Sequence, residues 1–142
     1  MPGTGRGEVL VLDEPLSFWG GVDPADGKII DQRHPQAGRS IRGKVLVMPS
    51  GRGSSSSSSV LAESLRAGTG PAAIVLAEPD GIVALGALVA AELYGRSIPV
   101  VVASAGDFAA IESGRQIAVA AENAFAMLTP HPAAAHPGGP EE

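Results

Sequence analysis

The stretch GKVLVMPSGRGSSSSSSVLAESLRAG, Gly43 to Gly68, decides how this chain is read. It begins with a near-continuous apolar run, Val45 to Met48, the pattern of a strand covered on both faces. It ends with VLAESLRAG, which brings Leu61, Ser64 and Leu65 onto neighbouring helical positions and stops at Gly68. Six serines, Ser54 to Ser59, lie between. A flexible serine linker joins separate domains, but this run sits directly between a buried-type strand and a helix. The spacing therefore predicts a βα loop that runs into the first turn of a helix. A serine hydroxyl caps a helix well by accepting from the free N–H groups of its first turn, yet one cap needs one serine. Six call for a further role.

Downstream, strand and helix patterns alternate. AAIVLAE, IPVVVAS and RQIAVAAE read as strands, GIVALGALVAAELYG as an apolar helix closed by Gly95, and GDFAAIESG as a short helix. This alternation points to parallel β-α-β units. Upstream, Val9 to Leu12 is a strand ended by Asp13, Glu14 and Pro15. The Gly-, Pro- and Asp-rich segment that follows holds one short strand candidate, Lys28 to Asp31. The expected fold is a single α/β domain with a β-rich N-terminal part, spanning residues 1–128. The segment TPHPAAAHPGGPEE, 129–142, reads as a disordered tail.

Composition narrows the functions available. The 142 residues fit one domain, with 44% hydrophobic and 18% charged residues, a globular balance. Aromatic residues make up 4%, so the core is built from Val, Ile, Leu and Ala. A net charge of −5 with scattered Lys and Arg gives no footprint for nucleic acid. With no cysteine, the chain supplies no disulfide, no thiolate zinc site and no ligand of an ordinary iron–sulfur cluster. Acidic residues interrupt the N-terminal apolar segment and no apolar run reaches membrane-spanning length, so the expectation is a cytoplasmic protein without a membrane partner.

Loops that lead from strand ends into helix N-termini bind anions, because free N–H groups and the helix dipole point there. Gly51 and Gly53 permit close backbone approach, Arg52 offers a forked cation, and the serine hydroxyls donate or accept. GRGSSS is not a dinucleotide fingerprint, since Ser56 stands where the third glycine belongs. GRSIRGKV, Gly38 to Val45, follows phosphate-loop spacing up to Val45, which replaces the required hydroxyl residue ahead of a strand.

Three blocks, PLSFWGGVDPADGKIID, HPQAGRSIRGKVLVMPSGRGSSSSSSVLAE and ALVAAELYGRSIPVV, together resemble the small subunit, or swivel domain, of the aconitase X family. The likeness runs from about Gly5 to Ala121. It implies a swivelling β/β/α domain. It also implies a hydro-lyase in which a large subunit carries the iron–sulfur cluster or metal ion and most of the substrate site, this chain holding no cofactor. Members include cis-3-hydroxy-L-proline dehydratases and phosphomevalonate dehydratases. Archaeal small subunits carry mixed residues after the glycine pair, whereas the uninterrupted serines here resemble the bacterial hydroxyproline type. The family's proton-accepting serine matches Ser54, the residue after that pair. The resemblance thus implies Ser54 as catalytic base, with Arg52, Gly53, Ser55 and Ser56 binding or orienting substrate.

His34, in QRHPQ, is a further candidate substrate-binding residue in a polar turn. His131 and His136 fall in the tail. Phe18 and Trp19 fit either closure over a substrate or a core or partner contact. Asp23 reads as a turn former, and Glu63 and Glu92 as solvent-facing helix residues. Besides the dehydratase, with phosphomevalonate as the alternative substrate, the sequence admits a non-catalytic module that binds an anion or a partner through the same loop.

Overall fold

The apolar runs at the centre of the sequence become adjacent parallel strands. The computed structural model describes residues 3–52, 56–121 and 126–130. Among them are six strands, β1 (Gly3–Val11), β2 (Val45–Met48), β3 (Ala73–Leu76), β4 (Val100–Val102), β5 (Gln116–Ala121) and β6 (Ala126–Pro130), in the order β4-β3-β2-β1-β5-β6. The helices are α2 (Ser56–Ala67), α3 (Gly81–Tyr94) and α4 (Ala105–Ala110), preceded by a short turn, α1 (Phe18–Gly21), whose backbone is non-helical at Trp19 and Gly20. Strands β1 to β4 pair in parallel, with Val9 opposite Val45, Val45 opposite Ala73 and Ile74 opposite Val100. None of the described helices is long and apolar enough to cross a membrane.

Period-two alternation splits each central strand between two cores. Leu10, Leu46, Met48, Ile74, Leu76 and Val100 face α2 and α3, where they meet Leu61, Leu65, Val83 and Ala87. Val9, Val45, Val47, Val75 and Val101 face the other way, against Ile117, Val119 and Ala121 of β5 and Phe108 of α4. The expected β/β/α layering follows, and it explains why these strands are apolar at nearly every position. At about 1.5–3 kcal/mol per large apolar side chain removed from water, the two cores supply the main driving force for folding.

The second β layer exists because β1 belongs to both halves. Its end, Val9 to Val11, pairs with β2, while Gly3 to Glu8 pairs antiparallel with β5. Gly5 and Gly7 lie on one side of β1. A methyl group on Gly5 would stand 2.0 Å from the Ala72 carbonyl oxygen, and one on Gly7 2.3 Å from that of Gly43. Only a bare backbone passes so close to the turns that lead into β3 and β2.

Two strand expectations need correction. Strand β5 does not extend the parallel series: it is antiparallel to both β1 and β6, and α4 spans only six residues, half the length of α2. The Lys28–Asp31 segment makes only isolated bridges, Val22 with Ile29 and Lys28 with Ser40, because Gly27 and Gly38 turn the chain at positive φ. Strand β6, which the sequence reading missed, continues through Thr129 and Pro130, beyond the expected boundary at Leu128. Residues 131–142, including His131 and His136, lie outside the described residues.

Candidate functional site

The site is built at the C-terminal end of β2, where Pro49 to Arg52 leave the sheet. Gly51 forms a parallel bridge with Leu16, and the Arg52 N–H donates to the Leu16 carbonyl at 3.1 Å. The Gly51 N–H donates to Asp80 Oδ2 at 2.8 Å. Asp80 is also the N-cap of α3, its Oδ1 accepting from the amides of Ile82 at 2.9 Å and Val83 at 3.1 Å. One carboxylate therefore receives three backbone N–H groups from two segments. A Cβ at Gly51 would lie 2.8 Å from both Asp80 Oδ2 and Val83 Cγ2, so the contact needs glycine there.

The same loop resumes at Ser56, the exposed first residue of α2. Ser57, one residue on, is buried, and its hydroxyl lies 3.2 Å from Ser17 Oγ. It also accepts from the Trp19 N–H and donates to the Arg52 carbonyl, both at 3.4 Å. Ser17 Oγ in turn donates to the Trp19 carbonyl at 2.8 Å, which fixes the backbone of an indole whose side chain is largely in solvent. Deeper along α2 and α3, Gly86 brings the helices together: a Cβ there would lie 2.9 Å from the Ser58 carbonyl oxygen.

Arg52 leaves its guanidinium half exposed, 3.9 Å from Glu14 Oε1. So long and open an ion pair holds little energy, about 0–1 kcal/mol, and leaves the cation able to take a carboxylate instead. The recess among Leu16, Phe18, Gly51, Arg52, Ser57 and Asp80 amounts to about 10 Å³. That is room for no more than one water. Among the described residues, the recess does not enclose an organic acid.

Of the residues singled out from sequence, Arg52 and Ser56 fall at the two ends of this loop. Gly53, Ser54 and Ser55 lie outside the described residues. His34 is buried rather than solvated, and both ring nitrogens are engaged within the chain. Nδ1 accepts the Gln36 N–H at 3.0 Å, which leaves Nε2–H to donate to the Glu14 carbonyl at 3.1 Å. It braces the Asp13–Leu16 segment from behind, and the mutual hydrogen bonds of Gln36 with Asp13 add to that brace. Sequence reasoning missed Ser57 and Asp80. Helical phase signals the first, since Ser57 stands four residues before buried Leu61. An Asp directly before an apolar helix signals the second only as a cap, because its reach to Gly51 spans two elements.

A model of the aconitase X swivel domain matches residues 1–127. The chain is 54% identical over 98 residues to a cis-3-hydroxy-L-proline dehydratase of Pseudomonas aeruginosa, covering 69% of this chain and 17% of that protein. It is also 54% identical over 88 residues to a phosphomevalonate dehydratase small subunit of Methanothermobacter thermautotrophicus, covering 62% of this chain and 67% of that one. The crystal structure of Thermococcus kodakaraensis aconitase X in its holo form superposes with a TM-score of 0.77 at 36% identity, over 89% of this chain and 91% of that one. The chain spans about a sixth of the length of the Pseudomonas dehydratase, so the swivel unit occurs both within a long polypeptide and as a small subunit. Sequence blocks, layering and superposition agree, and the chain belongs to the aconitase X family as a swivel domain.

Proposed function

We propose that this chain is the swivel part of a hydro-lyase that dehydrates cis-3-hydroxy-L-proline, and that Ser54 is its base. The observation that carries the reading is the pinned loop: Gly51 and Arg52 are held at the end of β2, immediately before the N-terminus of α2. In the reaction a base takes the proton from the carbon beside the substrate carboxylate. The electron pair of that C–H bond forms the new double bond as hydroxide leaves the adjacent carbon, giving an unsaturated acid and, after protonation of the hydroxide, water. A serine hydroxyl is a very weak base unless its alkoxide is favoured. The Arg52 guanidinium and the positive end of α2 supply that bias, most strongly once water is excluded. Arg52 then holds the substrate carboxylate or the alkoxide, with Gly53, Ser55 and Ser56 orienting the acid. His34 acts one layer back, through the Glu14 backbone.

The large subunit encloses the site in this reading and carries the iron–sulfur cluster or metal ion. This chain does not fit such a centre itself: it has no cysteine, and among the described residues no three His, Asp or Glu side chains converge to hold an ion. The 54% identity to a cis-3-hydroxy-L-proline dehydratase, over a longer stretch than to the phosphomevalonate dehydratase subunit, favours the hydroxyproline substrate.

The test is turnover by the chain assembled with its large subunit, given cis-3-hydroxy-L-proline beside 5-phosphomevalonate. Ser54→Ala should leave the assembly intact and lower kcat by roughly 10²–10⁴-fold, the share a positioned general base supplies. Turnover of phosphomevalonate alone overturns the substrate assignment and keeps the mechanism. Near-normal turnover by Ser54→Ala overturns the base.

A further inference from the structure

We propose that Asp80 is a positioning residue for the base loop, holding it at a set distance from α3 through the Gly51 N–H. The proposal rests on the reading of Ser54 as base and extends it to a residue on a different element.

The chain is anchored on both sides of residues 53–55, and α3 serves both anchors. On the upstream side Asp80 Oδ2 accepts from Gly51 at 2.8 Å, while Leu16 pairs with Gly51 and takes the Arg52 N–H. On the downstream side Gly86 allows α3 to touch the backbone of Ser58, and Ser57 ties the start of α2 to Ser17 and Trp19. Asp80 is itself fixed, because its other oxygen is occupied by the Ile82 and Val83 amides. Its carboxylate therefore cannot swing without uncapping the helix. A displacement of about 1 Å at a reacting group costs on the order of 10²-fold in rate, so a loop carrying the base gains from such a rigid stop.

The two jobs of Asp80 separate by substitution. Asn and Ser cap helices about as well as Asp. In Asp80→Asn the remaining carbonyl oxygen keeps the Ile82 and Val83 amides, and the new NH₂ group meets the Gly51 N–H donor to donor. In Asp80→Ser the hydroxyl caps α3 but is too short to reach Gly51. Both variants should fold, with a melting temperature lowered by only a few degrees, since α3 keeps its cap and the Gly51 N–H alone loses its acceptor. In the full chain, hydrogen exchange at the Gly51 amide should speed up. In the assembled enzyme kcat should fall about 10²-fold with KM nearly unchanged, the signature of lost alignment rather than lost binding.

Gly51 exchange that stays protected in both variants overturns the latch. Accelerated exchange with normal kcat overturns its role in positioning. A large fall in melting temperature with unchanged kcat shows a cap and nothing more, which overturns the proposal as well. Ser54→Ala, measured alongside, keeps the two readings apart. If that variant turns over normally the base assignment fails, whereas the exchange of Gly51 still reports on Asp80.

Discussion

Ser56 and Ser57 belong to one run of identical residues, yet the fold treats the two differently. Ser57 is buried among Ser17, Trp19 and Arg52, whereas Ser56 beside it faces solvent. Ser57→Ala leaves the Trp19 N–H without its side-chain acceptor in a half-buried position, a loss of about 1–2 kcal/mol. Urea unfolding should read that cost as a lower midpoint with the same slope, and an unchanged midpoint would show that Ser57 merely fills space. The loop was legible, since a strand, a glycine pair and a helix locate it; Ser57 was missed, although the helical phase of Leu61 and Leu65 carries the signal that sorts inward serines from outward ones. The Asp80 latch was not legible, since a hydrogen bond between residues 29 apart in sequence leaves no local pattern. His34 shows the reverse case. Its polar neighbours read as surface, but two backbone partners make its burial affordable.

At the scale of elements, β1 turns an ordinary parallel sheet into a two-layered one. The central strands were readable because burial on both faces removes polar residues from them. The antiparallel half was less so: the strand read from sequence begins at Val9, because Gly5 and Gly7 carry no strand signal until the close approach to Ala72 and Gly43 gives them a reason. Strand β6 is specified by pairing with β5 rather than by its own pattern. The β1–β2 junction also carries a pH response. Lys44 Nζ donates to Glu8 Oε1 at 2.8 Å, and this hydrogen bond, with the ammonium charge, draws the Glu8 carboxyl below its ordinary 4.5. The folded form therefore holds the carboxylate more tightly than the unfolded chain does. Its contribution is complete above about pH 4.5 and disappears as pH falls through the lowered folded value. Because Glu8 is 40% exposed, solvent keeps the contribution below about 1 kcal/mol. Chemical unfolding of Glu8→Gln should give slightly lower stability than wild type at pH 7 and near-equal stability at pH 3. A constant difference across that range would show that the pair is not what titrates.

For the whole molecule, the question is which end would meet the large subunit of the proposed hydro-lyase. Around the proposed base loop, the described residues divide into those held from behind and those open in front. Asp80, His34 and Ser57 are turned inward, while Arg52, Glu14 and Trp19 are at least half exposed. The recess left between them is far smaller than a hydroxy acid. A weak base such as a serine also needs water excluded, so the large subunit must close over this end for the proposed chemistry to run. Trp19 reports on that closure: it is the sole tryptophan, 63% exposed, on a backbone fixed by Ser17 and Ser57. In nitrogen-15-labelled chain its indole N–H gives one side-chain signal in an exposed environment. Mixing with unlabelled large subunit should move that signal and slow its exchange with water, and adding substrate should slow the exchange further. Trp19→Ala should weaken assembly by about 1 kcal/mol or more, as loss of a large aromatic anchor does at interfaces. An indole signal that keeps its position and exchange rate in a complex formed by this chain would place the partner on another face and leave the base loop open to water, which the proposed mechanism cannot tolerate.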